Sequence, residues 1–178
     1  MPRAGQMLVG TKAPGEDKWP LQVKVTLFIE AEQKVVWNVL TDYAHMPEFV
    51  PHMKSCAILG RQGEEIIVEE LLKSFFVTMH LELAIKESPP GRIDFRLLRG
   101  NMRAYDGHWD LIPVGPTATI LNLEIKVEPG FYAPRSIVSW VLKDHLPEGL
   151  LAVRKRALKE IGHPAPSEAI EVINLKDF

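Results

Sequence analysis

Hydrophobic residues recur at every second position near the start of the chain. Val23, Val25, Leu27 and Ile29 stand on one side of this pattern, with mostly polar residues between them. A period of two is typical of a β-strand that buries one face and leaves the other in water. The pattern therefore predicts that the fold begins with a strand at Leu21.

The segment after this strand changes to helical spacing. Val35, Val36, Val39 and Leu40 follow the helical period and form an apolar stripe. The next segment, residues 42–51, holds two prolines, and proline is tolerated only near the start of a helix. Two short helices are therefore predicted after the first strand.

Apolar and β-branched runs fill the next part of the chain, and glycine, proline and asparagine divide them at short intervals. The predicted strands are 54–61, 64–72, 75–88, 92–99, 102–113 and 117–128. The short connections predict an antiparallel meander with one buried and one wet face.

A long helix is predicted at residues 134–161, where apolar residues again follow the helical period. Pro147 lies inside this stretch, so we expect either a kink or two consecutive helices. The predicted fold is therefore α+β. A seven-stranded curved antiparallel sheet surrounds a long C-terminal helix, and the two short helices follow strand 1.

The two ends of the chain lack clear periods. Residues 1–20 contain several glycines and prolines and are predicted to form a mobile N-terminal arm. Residues 21–162 form the predicted folded domain, and 163–178 a C-terminal tail. The apolar residues of the tail leave open whether it packs against the domain.

The composition is that of an ordinary globular domain. The 178 residues are 46% hydrophobic and 25% charged, and the net charge is -2. This balance lacks the basic excess of a general nucleic-acid binder. The single cysteine, Cys56, has no partner for an intramolecular disulfide, and no apolar stretch approaches the roughly 20 residues of a membrane span. We therefore expect a cytoplasmic protein, with transient membrane contact left open.

Four short motifs follow one another at characteristic places. They are Val36-Trp37 with Leu40 to Tyr43, Met46 to Pro51, Gly107 to Leu111, and Leu151 with Val153 to Ala157. In these motifs and their order the chain resembles the SRPBCC, or START-like, superfamily of helix-grip proteins, and specifically its polyketide cyclase/dehydrase-like branch. The resemblance implies a hydrophobic cavity between the sheet and the C-terminal helix, in a ligand-binding domain that spans residues 21–162.

The resemblance supports three functional hypotheses. The leading one is the binding or carrying of a hydrophobic small molecule such as a lipid, a quinone or a polyketide-like compound. The first alternative is an aromatic polyketide cyclase or dehydratase. The second is a protein-interaction module that uses either the basic end of the last helix, with Arg154 and Arg156, or the exposed edge of the sheet.

The strand predicted at 102–113 supplies the polar candidates for the cavity. A period of two places Arg103 and Tyr105 on the same face as Trp109, and Arg99 is in phase with Phe95 on the preceding strand. An inward cation and phenol could pair with a carbonyl-bearing ligand, so Arg103 and Tyr105 are the candidate catalytic residues. The alternative is that the arginines lie near strand ends and reach solvent.

The predicted ligand-binding residues come from several elements. They are Met79, Leu81, Phe95, Arg99, Arg103, Tyr105, Trp109, Leu121, Leu123, Val138, Val141 and Leu142. Inward acid or base groups are few, with Thr119 and Glu70 added to the arginines and the tyrosine, and this favours a binding protein over an enzyme.

No metal site and no cofactor is predicted. His80 and His108 are in phase with the outer face of the sheet, where polar pairs are usually solvated. His45 and His52 are seven positions apart, without the spacing of a zinc protease.

Overall fold

The computed structural model describes residues 1–13, 18–74, 77–163 and 170–175. Within these residues, nine strands form one sheet and three α-helices accompany it. The strands are β1 (Gln6–Lys12), β2 (Leu21–Ile29), β3 (Met53–Gln62), β4 (Glu65–Lys73), β5 (Thr78–Ser88), β6 (Arg92–Gly100), β7 (Met102–Val114), β8 (Ala118–Pro129) and β9 (Glu171–Leu175). The helices are α1 (Gln33–Leu40), α2 (Met46–Phe49) and α3 (Arg135–Glu160), with a 3-10 turn at Tyr43–His45.

The strand order is β3-β4-β5-β6-β7-β8-β2-β1-β9. Neighbouring strands are antiparallel except β1 and β9, which are parallel. The meander from β3 to β8 thus closes on β2, the first strand predicted from the sequence. The α+β helix-grip prediction is confirmed, and its seven strands correspond to β2 through β8. Phe75 and Phe76, which the prediction included in a strand, lie outside the described residues.

The prediction of a mobile arm over residues 1–20 is wrong for Gln6–Lys12, which forms β1. Met7 and Val9 are buried there, and the strand pairs with β2 in the register Val9 to Val25. The stretch is short, follows Gly5 and contains Gly10, so the alternation is hidden among turn signals. In the tail, β9 pairs with β1, with Gln6 opposite Glu171.

Helix α3 is continuous, although the sequence left a kink or a break open at Pro147. The Pro147 side chain is itself buried. Helix α1 buries Val36, Val39 and Leu40, the stripe expected from their spacing. Together α1 and the second half of α3 cover one end of the concave sheet face, where the side chains of β2 and β8 form a close-packed core.

At Gly107, β7 lies too close to β8 to leave room for a side chain. A Cβ at this position would lie 2.1 Å from the backbone oxygen of Glu124 and 2.9 Å from the Phe95 ring. No side chain fits in that space, so glycine is required for the two strands to bend together around α3.

No helix in the described part of the chain is long and apolar enough to cross a bilayer.

Candidate functional site: a cavity under the first half of the long helix

A cavity of about 220 Å³ lies between the sheet and the first half of α3. Its walls come from α2, from strands β4 to β8, from residues 129–133 and from α3. The lining is almost entirely apolar, and an apolar cavity of about 150 Å³ already holds benzene in an engineered protein core. The space is therefore large enough for a small hydrophobic molecule.

Eight of the twelve residues predicted to bind ligand line this cavity. They are Met79, Phe95, Tyr105, Trp109, Leu123, Val138, Val141 and Leu142. Leu81 and Leu121 are fully buried in the sheet core and do not reach the cavity. Arg99 and Arg103 are not part of its lining either.

Both arginines point to solvent, contrary to the prediction that they enter the cavity. Arg99 pairs with Glu82 at 3.0 Å, and Arg103 lies 3.6 Å from Glu128. The cause is two β-bulges, each of which inserts one residue and reverses the phase of the alternation. Leu98 is the extra residue between β6 and β5, and Arg103 is itself the extra residue between β7 and β8.

Glu70, which is not among the twelve predicted ligand-binding residues, is a polar residue of the cavity lining. It follows Ile66 and Val68 at period two on β4, so its side chain reaches the cavity. Desolvation by burial raises the pKa of its carboxyl group to about 7. No hydrogen bond or ion pair from the described residues compensates this burial. The signal in the sequence was a glutamate in phase with the apolar residues of a predicted strand.

Tyr105 provides a phenol in the same cavity. Burial, and then the charge of Glu70, raise the pKa of Tyr105, so the hydroxyl keeps its proton and can donate a hydrogen bond. The ring packs near Phe95, with 6.0 Å between the ring centroids. Tyr43, which also lines the cavity, donates its hydroxyl to Glu87 Oε1 at 2.7 Å and is thereby occupied.

Other polar candidates lie outside the cavity. Thr119 is buried, and its hydroxyl donates to the backbone oxygen of Ala31 at 2.8 Å. On the outer face, His80 contacts Glu69 at 3.2 Å and His108 contacts Asp110 at 3.3 Å.

Residues 50–53 and the first half of α3 line one side of the cavity and include exposed residues such as Pro51 and Ile137, and we call this partly exposed side its mouth. His52 and His145 stack there, with ring centroids 4.0 Å apart. Burial and the neighbouring His52 lower the pKa of His145. Ile137 is exposed nearby on the cavity rim. The mouth of the cavity is therefore bordered by polar groups, the two histidines, and by an apolar one, Ile137.

A curved sheet that closes on a long helix over an apolar cavity defines the START-like, or helix-grip, class of proteins. Within that class, the family described as polyketide cyclase/dehydrase and lipid transport has a sequence profile that matches residues 29–154. The chain belongs to this family, and the resemblance seen in the motifs is confirmed. No curated protein sequence matches the chain significantly.

Solved structures agree on the fold. Human STARD10 superposes with a TM-score of 0.72 at 13% identity, over 96% of this chain and 83% of that one. The Zhui aromatase/cyclase from Streptomyces sp. R1128 gives 0.71 at 18% identity, over 79% and 94%. A START superfamily protein from Mycobacterium smegmatis gives 0.69 at 19% identity, over 78% and 98%.

Proposed function

We propose that this protein binds a hydrophobic small molecule that carries one polar, oxygen-containing group. The observation that supports this is an apolar cavity whose lining contains an uncompensated carboxyl group. An apolar ligand gains free energy from leaving water, at about 25 cal/mol per Å² of apolar surface. Its polar group fixes the orientation by bonding to Glu70 or Tyr105.

Glu70 and Tyr105 are suited to a ligand with a carbonyl or a hydroxyl group. A protonated Glu70 can donate one hydrogen bond and an ionised Glu70 can only accept, whereas Tyr105 can do both. A fully hydrocarbon ligand would leave the carboxyl group unsatisfied, which is costly in a buried site. A lipid, a quinone or a polyketide-like molecule satisfies it. We further propose a cytoplasmic location, which fits a chain with one cysteine because a reducing compartment needs no disulfide.

A matched pair of variants on α3 tests ligand binding. Val141→Trp places an indole in the cavity, whereas Lys143→Trp adds the same side chain two positions away on the exposed side. Native mass spectrometry of protein from its own host should detect a bound molecule with the wild type and with Lys143→Trp. With Val141→Trp this molecule should be absent. A wild-type protein that carries no ligand, or equal occupancy in both variants, would contradict the proposal.

A second candidate function, cyclisation or dehydration of a poly-β-ketone, is favoured by the raised pKa of Glu70. A carboxylate with a pKa of about 7 is a better general base than an ordinary glutamate, and about half of it is ionised at neutral pH. It could take a proton from the methylene group between two carbonyls. The Tyr105 hydroxyl could donate to the oxygen on which the enolate charge develops.

Measurements of turnover and of ligand affinity distinguish a carrier from a cyclase or dehydratase. If the protein is a cyclase, Glu70→Gln and Tyr105→Phe should abolish the aromatic product formed from a poly-β-ketone substrate while binding persists. Arg103→Ala is the control, because Arg103 lies outside the cavity. If the wild type binds the substrate but does not convert it, the protein is a carrier and the cyclase hypothesis is wrong.

The contacts of Arg154 and Arg156 do not favour the helix-end form of the third hypothesis, in which these two arginines bind a partner. Arg154 is buried and donates two hydrogen bonds to Glu30, at 2.8 and 2.7 Å. Arg156 lies near Glu160 and over the Phe49 ring. These side chains stabilise the fold and do not form a free cationic surface.

A further inference from the structure

Two histidines and a glutamate meet at the mouth of the cavity. His52 lies just before β3, and His145 and Glu148 lie in the middle of α3. The Glu148 Oε2 atom is 3.1 Å from His52 Nε2, and the two imidazole rings stack at 4.0 Å. One possible ligand atom from each residue lies within 4.8 Å of the other two.

The backbone holds His52 in an unusual conformation. Its φ of +66° lies in the left-handed region, which residues other than glycine seldom adopt. A hydrogen bond of 2.8 Å from the Lys73 amide to the His52 carbonyl ties this turn to the end of β4. Backbone strain of this kind persists where the surrounding structure enforces it, and it is concentrated at functional sites.

Helix α3 supplies the other two side chains. His145 and Glu148 are three positions apart, so they project from the same face of α3. The three residues are thus delivered by two separate parts of the chain to one place beside the ligand cavity.

We propose that His52, His145 and Glu148 bind a divalent transition-metal ion of the zinc class at the mouth of the cavity. Two imidazole nitrogens and one carboxylate oxygen form a donor set typical of Zn²⁺, whereas Mg²⁺ and Ca²⁺ prefer oxygen ligands. Three protein ligands leave one coordination position open. His52 and His145 both line the cavity, so an oxygen atom of a bound molecule could take that position.

The site needs only a small contraction to close around an ion. Tetrahedral bonds of about 2.05 Å place neighbouring ligand atoms about 3.3 Å apart. The His52 and Glu148 ligand atoms are already 3.1 Å apart, and no pair in the cluster is more than 4.8 Å apart, so the contraction needed is at most about 1.5 Å. The Glu148 side chain is 45% exposed and the His52 side chain 32%, so side-chain rotation can supply this movement. The bound ion would join α3 to the segment that precedes β3 across the mouth.

Metal binding is tested with tag-free protein that has been stripped with a chelator. Titration with Zn²⁺ alone, followed by calorimetry, should show one equivalent bound, and Co²⁺ should give the visible absorption of a tetrahedral site. His52→Ala, His145→Ala and Glu148→Gln should each weaken Zn²⁺ binding at least about tenfold, since even indirect partners of metal ligands have effects of 10- to 100-fold. Zn²⁺ should also raise the Tm of the wild type and not that of the His52→Ala, His145→Ala double variant.

His80→Ala is the matched control. His80 also contacts a glutamate, Glu69 at 3.2 Å, but no third donor group from the described residues joins this pair. Its removal should leave Zn²⁺ binding unchanged. His145→Gln, which keeps a polar side chain of similar size, replaces His145→Ala if circular dichroism shows that the alanine variant is unfolded. Absence of stoichiometric binding, or binding that survives in the folded double variant, would overturn the proposal.

Discussion

The two halves of α3 lie against the same sheet but in opposite environments. Leu150, Ala157 and Leu158 in the second half are at most 1% exposed. In the first half, Ile137 is 43% and Trp140 58% exposed. The cavity lies under the first half and extends to Gly149, Leu150 and Val153 at the start of the second, and beyond them Arg154, Ala157 and Leu158 are buried at the end of the helix that contacts α1 and β2. One helix therefore serves both as an anchor and as a cover for a space that the core does not fill.

Two carboxylates, one near each half of the helix, differ in whether they have a hydrogen-bond partner. Glu30, at the packed end, accepts two hydrogen bonds from Arg154, whereas Glu70, at the open end, has no such partner among the described residues. A buried charge is usually paired, because burial without a partner is costly. An unpaired acid where the core is incomplete is thus a mark of a ligand site, and a paired acid where the core is complete is a mark of stability.

Truncation of a leucine in the anchored half should have the largest effect on stability. Leu158→Ala removes a side chain that is 1% exposed, and comparable substitutions lower the free energy of unfolding by about 2–5 kcal/mol. Ile137→Ala in the covering half should lower it by less than about 1 kcal/mol, because the side chain is largely exposed. Urea denaturation of both variants measures the difference. Equal losses would mean that the two halves are packed alike.

Neutralisation of Glu70 should increase stability above neutral pH. The folded-state pKa of about 7 exceeds the ordinary 4.5, so the folded protein retains a proton that the unfolded chain has lost. The free energy of unfolding should therefore decrease as the pH rises from about 4.5 to about 7, by up to ~3 kcal/mol at about 1.4 kcal/mol per pH unit. Glu70→Gln should remove this decrease.

Urea denaturation between pH 4 and pH 8 tests this expectation. The gain of Glu70→Gln over the wild type should be largest at pH 8 and absent near pH 4. Glu69→Gln, on the next residue of β4 and with its side chain beside His80, is the control and should not reproduce the gain. A gain that is the same at every pH would exclude desolvation of Glu70 as its cause.

Removal of the buried cation should affect the anchored half with the opposite pH dependence. Burial alone would raise the pKa of Glu30, but the hydrogen bonds and charge of Arg154 outweigh it and hold the pKa below 4.5. The stability from this pair is therefore present above pH 4.5 and is lost as the pH falls through the lowered pKa.

Arg154→Gln should accordingly lower the free energy of unfolding by about 1.5–3 kcal/mol at pH 7, the range for hydrogen bonds to charged groups. The gap between the variant and the wild type should narrow towards pH 3 in urea denaturation. Arg156→Gln is the comparison, because Arg156 lies on the same helix but its contact to Glu160 is with a largely exposed carboxylate. A gap for Arg154→Gln that does not change with pH would contradict a charged pair with Glu30.

Most of the sheet could be predicted from the sequence because its strands alternate strongly. Of the two strands that were missed, β1 pairs with β2, and β9 pairs only with β1, which lies at the other end of the chain. In β1 a glycine occupies the position next to Val9, so the local pattern is weak. Pairing of this kind depends on which edge of the sheet is free, and a single segment does not carry that information.

The residues of the candidate site likewise divide into those that the local sequence pattern predicts and those that it does not. Apolar lining residues such as Phe95 and Leu123 follow from phase alone. Arg99 and Arg103 were misplaced because a bulge is an event between two strands and leaves no clear trace in one of them. The His52–His145 contact joins residues 93 positions apart, and no spacing rule relates them.

The smallest effect on stability is expected at the exposed face of the covering half. Trp140→Ala should change the free energy of unfolding by no more than about 0.5 kcal/mol, as is usual for exposed positions.

Local unfolding of the covering half of α3 should be easier than local unfolding of the anchored half, because fewer buried contacts hold the covering half. Amides in residues 139–146 should therefore exchange their hydrogens faster than those in residues 151–158. A bound ligand should slow exchange in the first segment and leave the second unchanged. Uniform exchange along α3, with or without ligand, would show that the helix opens as one unit and that its first half is not a separate cover for the cavity.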